Sequence, residues 1–553
     1  MASADGEAGG SPEAVAPAAR SGAAALFVGL GIFLSRVIGL VRERVLATYF
    51  GTGLHADVFS AGLRLPNVLQ NLLGEGTLSA SFIPAYSALL GQGRTAEAGR
   101  VAGAAFALLL SVAGAISLLG LALAPFLVSV FTPGFEGVRR ELLIVVVRIV
   151  FPMTGVLVLS AWALGILNSH RKFFLPYFAP VLWNAAIIGT LIAFAARLDL
   201  DALVVAAAWG ALAGGALQFL VQLPAVLRLD REIRLSTGRN EPAFREAVRK
   251  AGPAIMGRGV VQLSGYLDLV LASLLAIGAV ARLRYAQTLY LLPISLFAMS
   301  VAAAALPELA RDRDGAAGAL RERTVAAVRR VAFFVVPSFV AFVAIGDVLV
   351  AGLYRAGEFG AADVEVVWLI LVAYSLGLLA STTTRVYQSA FFALRDTATP
   401  ARVAFVRVLV ALAAGAVLMV QFEPVTVLGR TIPAGMLASY DAAGLPLGPL
   451  GLAAGASLGA WIEWALLKRA LVARLGGVAV GAAAHARMFA AALAAGGAAY
   501  LAHRALASPQ PPLAAALAAG VFGAVYFALA AALGLEQARS LPAALLRRLR
   551  RRR

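Results

Sequence analysis

Residues 29–53 read GLGIFLSRVIGLVRERVLATYFGTG. The stretch is apolar and long enough to cross a bilayer, whose hydrocarbon core takes about 20 residues of helix. It nevertheless carries Arg36, Arg42, Glu43 and Arg44, and residues 57–76, DVFSAGLRLPNVLQNLLGEG, add Asp57, Arg64 and Glu75. A charge at the bilayer centre costs about 3 kcal/mol on insertion scales, so such residues persist where they face a polar cavity or a partner. A membrane-spanning chain with a charged interior reads as the mover of a charged solute rather than as a passive anchor.

The composition places the whole chain in the membrane class. Of 553 residues 61% are hydrophobic and 14% charged, against about 25% charged in a soluble domain. The mean hydropathy is +0.85. The apolar windows are continuous, whereas barrel strands would alternate over about 10 residues. There is no cysteine, which excludes disulfides, thiol chemistry and cysteine-ligated metals. The four histidines, His55, His170, His485 and His503, are scattered without metal-ligand spacing, and the reading assigns no cofactor. The net charge of +18 falls mostly in loops, where basic residues orient a membrane protein, so nucleic acid is not a partner. Residues 1–21 are small and polar and lack a basic n-region; they read as a disordered tail before an uncleaved first helix.

About fourteen windows are long enough to span. They lie near 23–50, 55–91 (one long or broken helix), 99–131, 138–168, 173–196, 202–227, 243–277, 280–310, 325–353, 362–393, 400–420, 447–472, 485–503 and 513–534. Alternate loops are basic: Arg94 and Arg100 in the second, His170, Arg171 and Lys172 in the fourth, a run from Arg228 to Lys250 in the sixth, a run from Arg311 to Arg330 in the eighth, Arg395 and Arg402 in the tenth, and Lys468, Arg469, Arg474 and Arg487 in the twelfth. The end LLRRLRRRR continues the pattern. This puts both termini in the cytoplasm. Internal repeats are common in transporters, and the long basic loop near 228–250 divides the spans into two bundles with two added helices. Pro152, Pro180, Pro253, Pro293 and Pro307 read as helix kinks. Arg395, Asp396, Thr397 and Pro400 read as a turn capping the next helix.

The motifs resemble a known family. Residues 35–86, SRVIGLVRERVLATYFGTGLHADVFSAGLRLPNVLQNLLGEGTLSASFIPAY, are similar to the N-terminal signature of the MurJ (MviN) lipid II flippases. Four stretches resemble the same family in the same order: ILNSHRKFFLPYFAPVLWN (166–184), AGPAIMG (251–257), YAQTLYLLPISLFAMSVAAAALPELAR (285–311) and FFALRDTATP (391–400). The resemblance implies the all-α multidrug/oligosaccharidyl-lipid/polysaccharide (MOP, MATE-like) exporter fold: two six-helix lobes around a central cationic cavity, plus two C-terminal helices forming a groove for a lipid tail. It implies lipid II as partner and substrate, an undecaprenyl chain carrying a pyrophosphate-linked disaccharide pentapeptide. The implied activity is its transfer to the outer leaflet of the bacterial inner membrane for peptidoglycan synthesis. On this reading residues 1–21 are a cytoplasmic tail, 22–227 the N-lobe, 228–242 a linker, 243–472 the C-lobe, 473–534 the lipid-tail pair and 535–553 a basic tail.

The chemistry fits a pyrophosphate. An unaided anion does not cross hydrocarbon, and arginine stays charged and offers phosphate a bidentate fork. Arg36 and Arg42 are expected on the headgroup, with Arg64 facing them from the second span and Ser35 and Asn67 as hydrogen-bonding neighbours; ordinary helix–helix hydrogen bonding explains the last two equally well. Snorkelling, or pairing with Glu43 or Asp57, is the bland alternative for the arginines, and it is preferred for Arg44. Asp57, Glu75 and Asp268 are expected as gating or charge partners. Arg148, Arg385 and Glu463 are further charges inside spans. Two positions depart from the family: Gln70 stands where it commonly has arginine, and Gln287 and Thr288 stand where it commonly has an Asp-Arg pair. Arg258, Arg282 and Arg284 are expected to supply the missing charge.

No phosphate-binding loop of the form GxxxxGK[ST] occurs, and no paired carboxylates, nucleophile motif or metal cluster stands out, so the chain does not read as an enzyme. The alternatives to a lipid II flippase are an exporter of another polyprenyl-linked sugar or drug in the same superfamily, and an inactive flippase-like scaffold for cell-wall enzymes.

Overall fold

The computed structural model describes residues 17–67, 81–238, 241–295, 317–427, 430–442, 444–478, 481–505 and 510–539, leaving the side chains of 17–28, 250–264 and 317 aside. The helices in the first half are α1 (Pro17–Phe50), α2 (Leu54–Arg64), α3 (Phe82–Gly91), α4 (Thr95–Phe131), α5 (Gly137–Ser169), α6 (Phe174–Phe194), α7 (Leu200–Leu220) and α8 (Leu223–Leu229). The second half holds α9 (Pro242–Ser273), α10 (Ala279–Pro293), α11 (Ala317–Ala344), α12 (Gly346–Tyr354), α13 (Ala361–Ser375), α14 (Leu378–Ala393), α15 (Ala398–Phe422), α16 (Gly448–Leu475), α17 (Ala482–Ala505) and α18 (Pro511–Ala532). Each of the fourteen windows contains helix, and among the described residues nine helical stretches are long and apolar enough to cross a membrane, two of them formed by successive helices (α7 with α8, α13 with α14). The second window is helical in α2 and again in α3, and residues 68–80 lie outside the described residues. So does most of the second part of the eighth window, together with Pro307. Pro152 and Pro180 fall inside α5 and α6, and Pro293 ends α10.

The chain packs as two lobes. In the first, α1 lies along α6, α6 along α7, and α5 sits between α4, α7 and α2. In the second, α16 is the central element, contacted by α13, α14 and α15, while α10 lies on α13. The last pair, α17 and α18, packs on the ninth span: Phe333, Val336 and Val340 of α11 meet Ala492, Phe522 and Tyr526. The Tyr526 hydroxyl donates to the Phe333 carbonyl over 2.6 Å.

Lipid tails are as apolar as leucine, so helices in a membrane associate through close packing of small residues. The pair α15–α16 is the clearest case here. A Cβ on Gly455 would sit 2.5 Å from Gly415 Cα, one on Gly451 2.7 Å from Met419 Cα, and one on Gly459 2.9 Å from the Arg407 carbonyl. Backbone therefore lies directly on backbone. Gly455→Leu should separate the helices at a cost of roughly 1–3 kcal/mol or more, since overpacking has nowhere to relax. Gly497→Leu on α17, where a Cβ meets nothing within 4 Å, should be silent. Thermal unfolding of the two purified variants, compared with the parent, checks this.

The turn read from Arg395 to Pro400 caps α15. Asp396 Oδ1 accepts from the Thr399 N–H over 2.9 Å and Oδ2 from its hydroxyl over 2.7 Å, with Arg474 Nη2 at 2.6 Å. The two Thr399 bonds, and after them the guanidinium, hold this carboxyl at about 2. The stretch 421–446 contains a short antiparallel hairpin, β1 (Val425–Val427) with β2 (Arg430–Ile432).

Candidate functional site

The two lobes are bonded to each other around the turn that joins α1 to α2. The last turns of α1 run beside the loop between α12 and α13. Arg44 Nη1 donates to the carbonyls of Gly352 and Leu353 over 2.8 and 3.1 Å, and the Glu358 N–H donates to the Thr48 carbonyl over 3.0 Å. Gly51 (φ +54°) lies with its Cα against the Glu358 backbone, where no Cβ fits. The Thr52 hydroxyl donates to Asp363 Oδ1 over 2.5 Å and accepts from Arg282 Nε over 3.2 Å. Behind these bonds three buried rings from the second lobe pack together, Tyr285, Tyr354 and Phe359, with centroids 4.9 to 5.6 Å apart. The Tyr285 hydroxyl reaches the Gly51 carbonyl at 3.1 Å.

Asp57 holds this end most tightly. It is completely buried on α2 and accepts from Arg139 Nη2 of α5 at 2.5 Å, from the Gly278 N–H at 2.6 Å and from the Ala281 N–H at 2.8 Å. The first N–H groups of a helix have no partner within it, and the helix dipole favours a negative charge there. Asp57 thus caps α10 from the other lobe. Gly278 enters that helix at φ +94° with its Cα against the Thr52 carbonyl, a conformation and a clearance that only glycine meets cheaply.

One turn further in, Glu43 is 3% exposed and accepts from Arg42 Nη2 at 2.5 Å and from Arg284 Nη2 of α10 at 2.8 Å. Arg284 Nη1 also donates to Ser60 at 3.1 Å. Arg42 lies over the Trp183 ring, 4.8 Å from its centroid. Arg36 is exposed and lies seven residues before Glu43 on α1, on the same face and about 10 Å deeper. It therefore faces the space between the lobes. Ser35, half-buried, shares the α6-facing side of α1 with Gly31 and Arg42.

Arg64 points across to α9 rather than toward Arg36 and Arg42. Its Nη2 is 3.4 Å from where a Cβ on Gly265 would be, and with Arg407 it supplies the positive charge around Asp268. The reason is that α2 packs on α10 and its tip on Tyr266, whose hydroxyl donates to the Arg64 carbonyl over 3.0 Å. Asn67 is exposed at the edge of the described residues. Gln70 and Glu75 lie outside them, and Arg258 has no described side chain. Gln287 bonds the Tyr374 hydroxyl at 2.8 Å, and Thr288 bonds the Arg284 carbonyl of its own helix at 3.0 Å. Arg282 and Arg284, expected to replace missing cavity charge, are engaged in the inter-lobe bonds, because the first turn of α10 lies at the sealed end. Arg148 is exposed on α5.

Glu463 is buried between helices. It is 1% exposed on α16 and accepts from Arg407 Nη1 of α15 at 3.2 Å and Gln388 Nε2 of α14 at 3.1 Å. Arg407 is 46% exposed and lies with exposed Arg385 beside Tyr290. Sequence reasoning passed over Arg407, although ARVAFVRVLVALAAG carries the same signal as the first span, an arginine inside an apolar window.

At the opposite end the linker between the halves runs along the first lobe. Arg100 Nε bonds Glu241 at 2.6 Å, and the Tyr86 hydroxyl bonds Asp230 and His170 at 2.9 Å each. Burial lowers the His170 ring below its usual value, against the pull of Asp230.

Comparisons with known proteins agree with this architecture. A family model described as Lipid II flippase MurJ matches residues 46–508. A Burkholderia cenocepacia protein named Lipid II flippase MurJ is 32% identical over 378 residues, 67% of this chain and 73% of its own length. Among solved structures, "Lipid II flippase MurJ, inward closed conformation" superposes with a TM-score of 0.71 at 21% identity, over 91% of this chain and 98% of that one. A multidrug resistance MATE family transporter of the MOP superfamily, in an inward-facing conformation, gives 0.64 at 17% identity, over 82% and 98%. At these identities the two superpositions speak for the fold.

Proposed function

The chain belongs to the lipid II flippase MurJ family, and from that premise we propose that it carries lipid II from the cytoplasmic to the periplasmic leaflet by alternating access of its two lobes. The observation that carries the reading is the set of inter-lobe bonds gathered around Gly51, Gly278 and Glu358, with Arg36 on the Glu43 face of α1 about 10 Å deeper. The alternation of basic loops puts both termini in the cytoplasm and the sealed end in the periplasm. On this reading the lobes are residues 22–227 and 243–472, with residues 473–534 as the lipid-tail pair. The enzymes that consume the flipped precursor on the outer face are the partners it calls for.

The pyrophosphate is recognised by guanidinium groups. We assign Arg36 and Arg64 from the first lobe and Arg385 and Arg407 from the second, with Ser35 and Asn67 as neutral donors. In the sealed state Arg42, Arg282 and Arg284 serve the gate; they join the headgroup once Glu43, Thr52 and Asp363 let go. This distribution answers the absence of arginine at Gln70 and Thr288. The same departures favour one other reading, a polyprenyl pyrophosphate bearing a different sugar.

Complementation separates the two. In a bacterium depleted of its resident lipid II flippase, the parent chain should restore growth and Arg36→Ala should not, at equal membrane levels. Losing one charge-assisted contact of about 1.5–3 kcal/mol weakens headgroup binding roughly 10- to 100-fold. Failure of a well-inserted parent chain to rescue would overturn lipid II as the substrate.

A further inference from the structure

The pair Glu463–Arg407 has a lopsided environment. The carboxylate is sealed among α14, α15 and α16 at 1% exposure, while its guanidinium partner is 46% exposed. Breaking a buried ion pair by removing one partner strands the other charge at a cost of several kcal/mol, and a carboxylate so stranded neutralises by taking a proton. The face that Arg407 offers to the cavity lies beside Arg385 and Asp268, so an anionic headgroup entering this space competes with Glu463 for the same guanidinium.

Resting on the flippase reading, we infer that Glu463 is a proton-binding site coupled to the substrate: the pyrophosphate takes Arg407, and Glu463, left without its cation, takes up one proton from the water that fills the cavity. The balance is closed. One carboxylate oxygen gains one O–H bond, the proton comes from solvent on the side to which the cavity is open, and no electron is transferred. When the lobes reverse and the headgroup leaves, Arg407 returns to Glu463 and the proton departs on the other side. Each transport cycle therefore carries one proton outward with the lipid, which cancels one of the headgroup's negative charges while it crosses.

The charged and titratable groups facing this pair are Arg385 on α14, Asp268 on α9 and Tyr290 on α10, with Gln388 as a neutral donor. Asp268 is the other carboxylate that feels Arg407, so it must be separated from Glu463 in the test. Lipid II is the right probe, because a pyrophosphate esterified at both ends has no proton of its own to exchange near neutral pH. Its affinity for the full-length purified protein is measured between about pH 5.5 and 8. A one-proton uptake makes binding tighter as pH falls, by up to about tenfold per unit.

The parent chain and Asp268→Asn should both show this slope. Glu463→Gln should bind tightly with no slope, since its neutral amide stands in for the protonated acid. The double variant Arg407→Gln/Glu463→Gln, which leaves no stranded charge, should bind at least tenfold more weakly, also without slope. A full slope in Glu463→Gln, a lost slope in Asp268→Asn, or undiminished affinity in the double variant overturns the coupling and leaves the flippase reading standing. Absence of any lipid II binding by the parent chain overturns the flippase reading and this inference with it.

Discussion

Asp57→Ala is expected to open the sealed end and abolish complementation. The substitution removes the cap of α10 and strands Arg139, a residue 5% exposed whose guanidinium carbon lies 3.5 Å from the Phe135 ring centroid. Losing one partner of such a pair costs about 3–5 kcal/mol, enough to shift a two-state equilibrium by about a hundredfold or more. The chain has no cysteine, so spin labels can be placed cleanly at Arg197→Cys and Arg355→Cys, one on each lobe and both exposed. The distance between them should lengthen in Asp57→Ala and change less in Asp57→Asn, which keeps an acceptor for the α10 N–H groups. An unchanged distance distribution with full rescue of growth would mean that Asp57 does not hold the lobes together.

The second large effect is a covalent lock. The backbone bond from Glu358 to Thr48 spans 3.0 Å and brings the two residues side by side from opposite lobes. Disulfides form when Cα atoms lie about 4.4–6.8 Å apart. Thr48→Cys/Glu358→Cys should cross-link on oxidation, and lipid transport in proteoliposomes should then stop entirely and recover with reductant. Either single cysteine should transport normally in both conditions. Transport by the fully cross-linked protein would show that this end does not separate during the cycle.

The helices and their order were legible because a bilayer demands about 20 apolar residues per crossing, and this composition supplies them in separate windows. The charged residues of the first two spans were legible for the same reason, as exceptions to that demand. Their partners were not. Nothing local in GTGLHADVFSAG says that Asp57 caps a helix more than 200 residues later, since the bond is made by two backbone N–H groups that every helix start possesses. Arg64 and Asp268 both stood out as charges, yet the placing of Arg64 near Asp268 depends on the tip of α2 leaning on Tyr266. Arg282 and Arg284 were legible as cations near the departures at Gln287 and Thr288; their engagement with Thr52 and Glu43 follows from the level of α10 in the bundle, which a sequence does not give. Arg407 could have been found by applying the same charge criterion to every window.

The three packed rings behind Gly51 bear on the energetics of the whole cell. A passage wide enough for a disaccharide pentapeptide is, to a hydrated ion, an open conduit through an energised membrane. Tyr285, Tyr354 and Phe359 fill this place with packed, buried rings, and the two tyrosine hydroxyls bond to the Gly51 and Tyr285 carbonyls. The stopper thus acts as an electrical insulator as well as a gate. It lets a bulky amphiphile be handled without discharging the voltage across the bilayer.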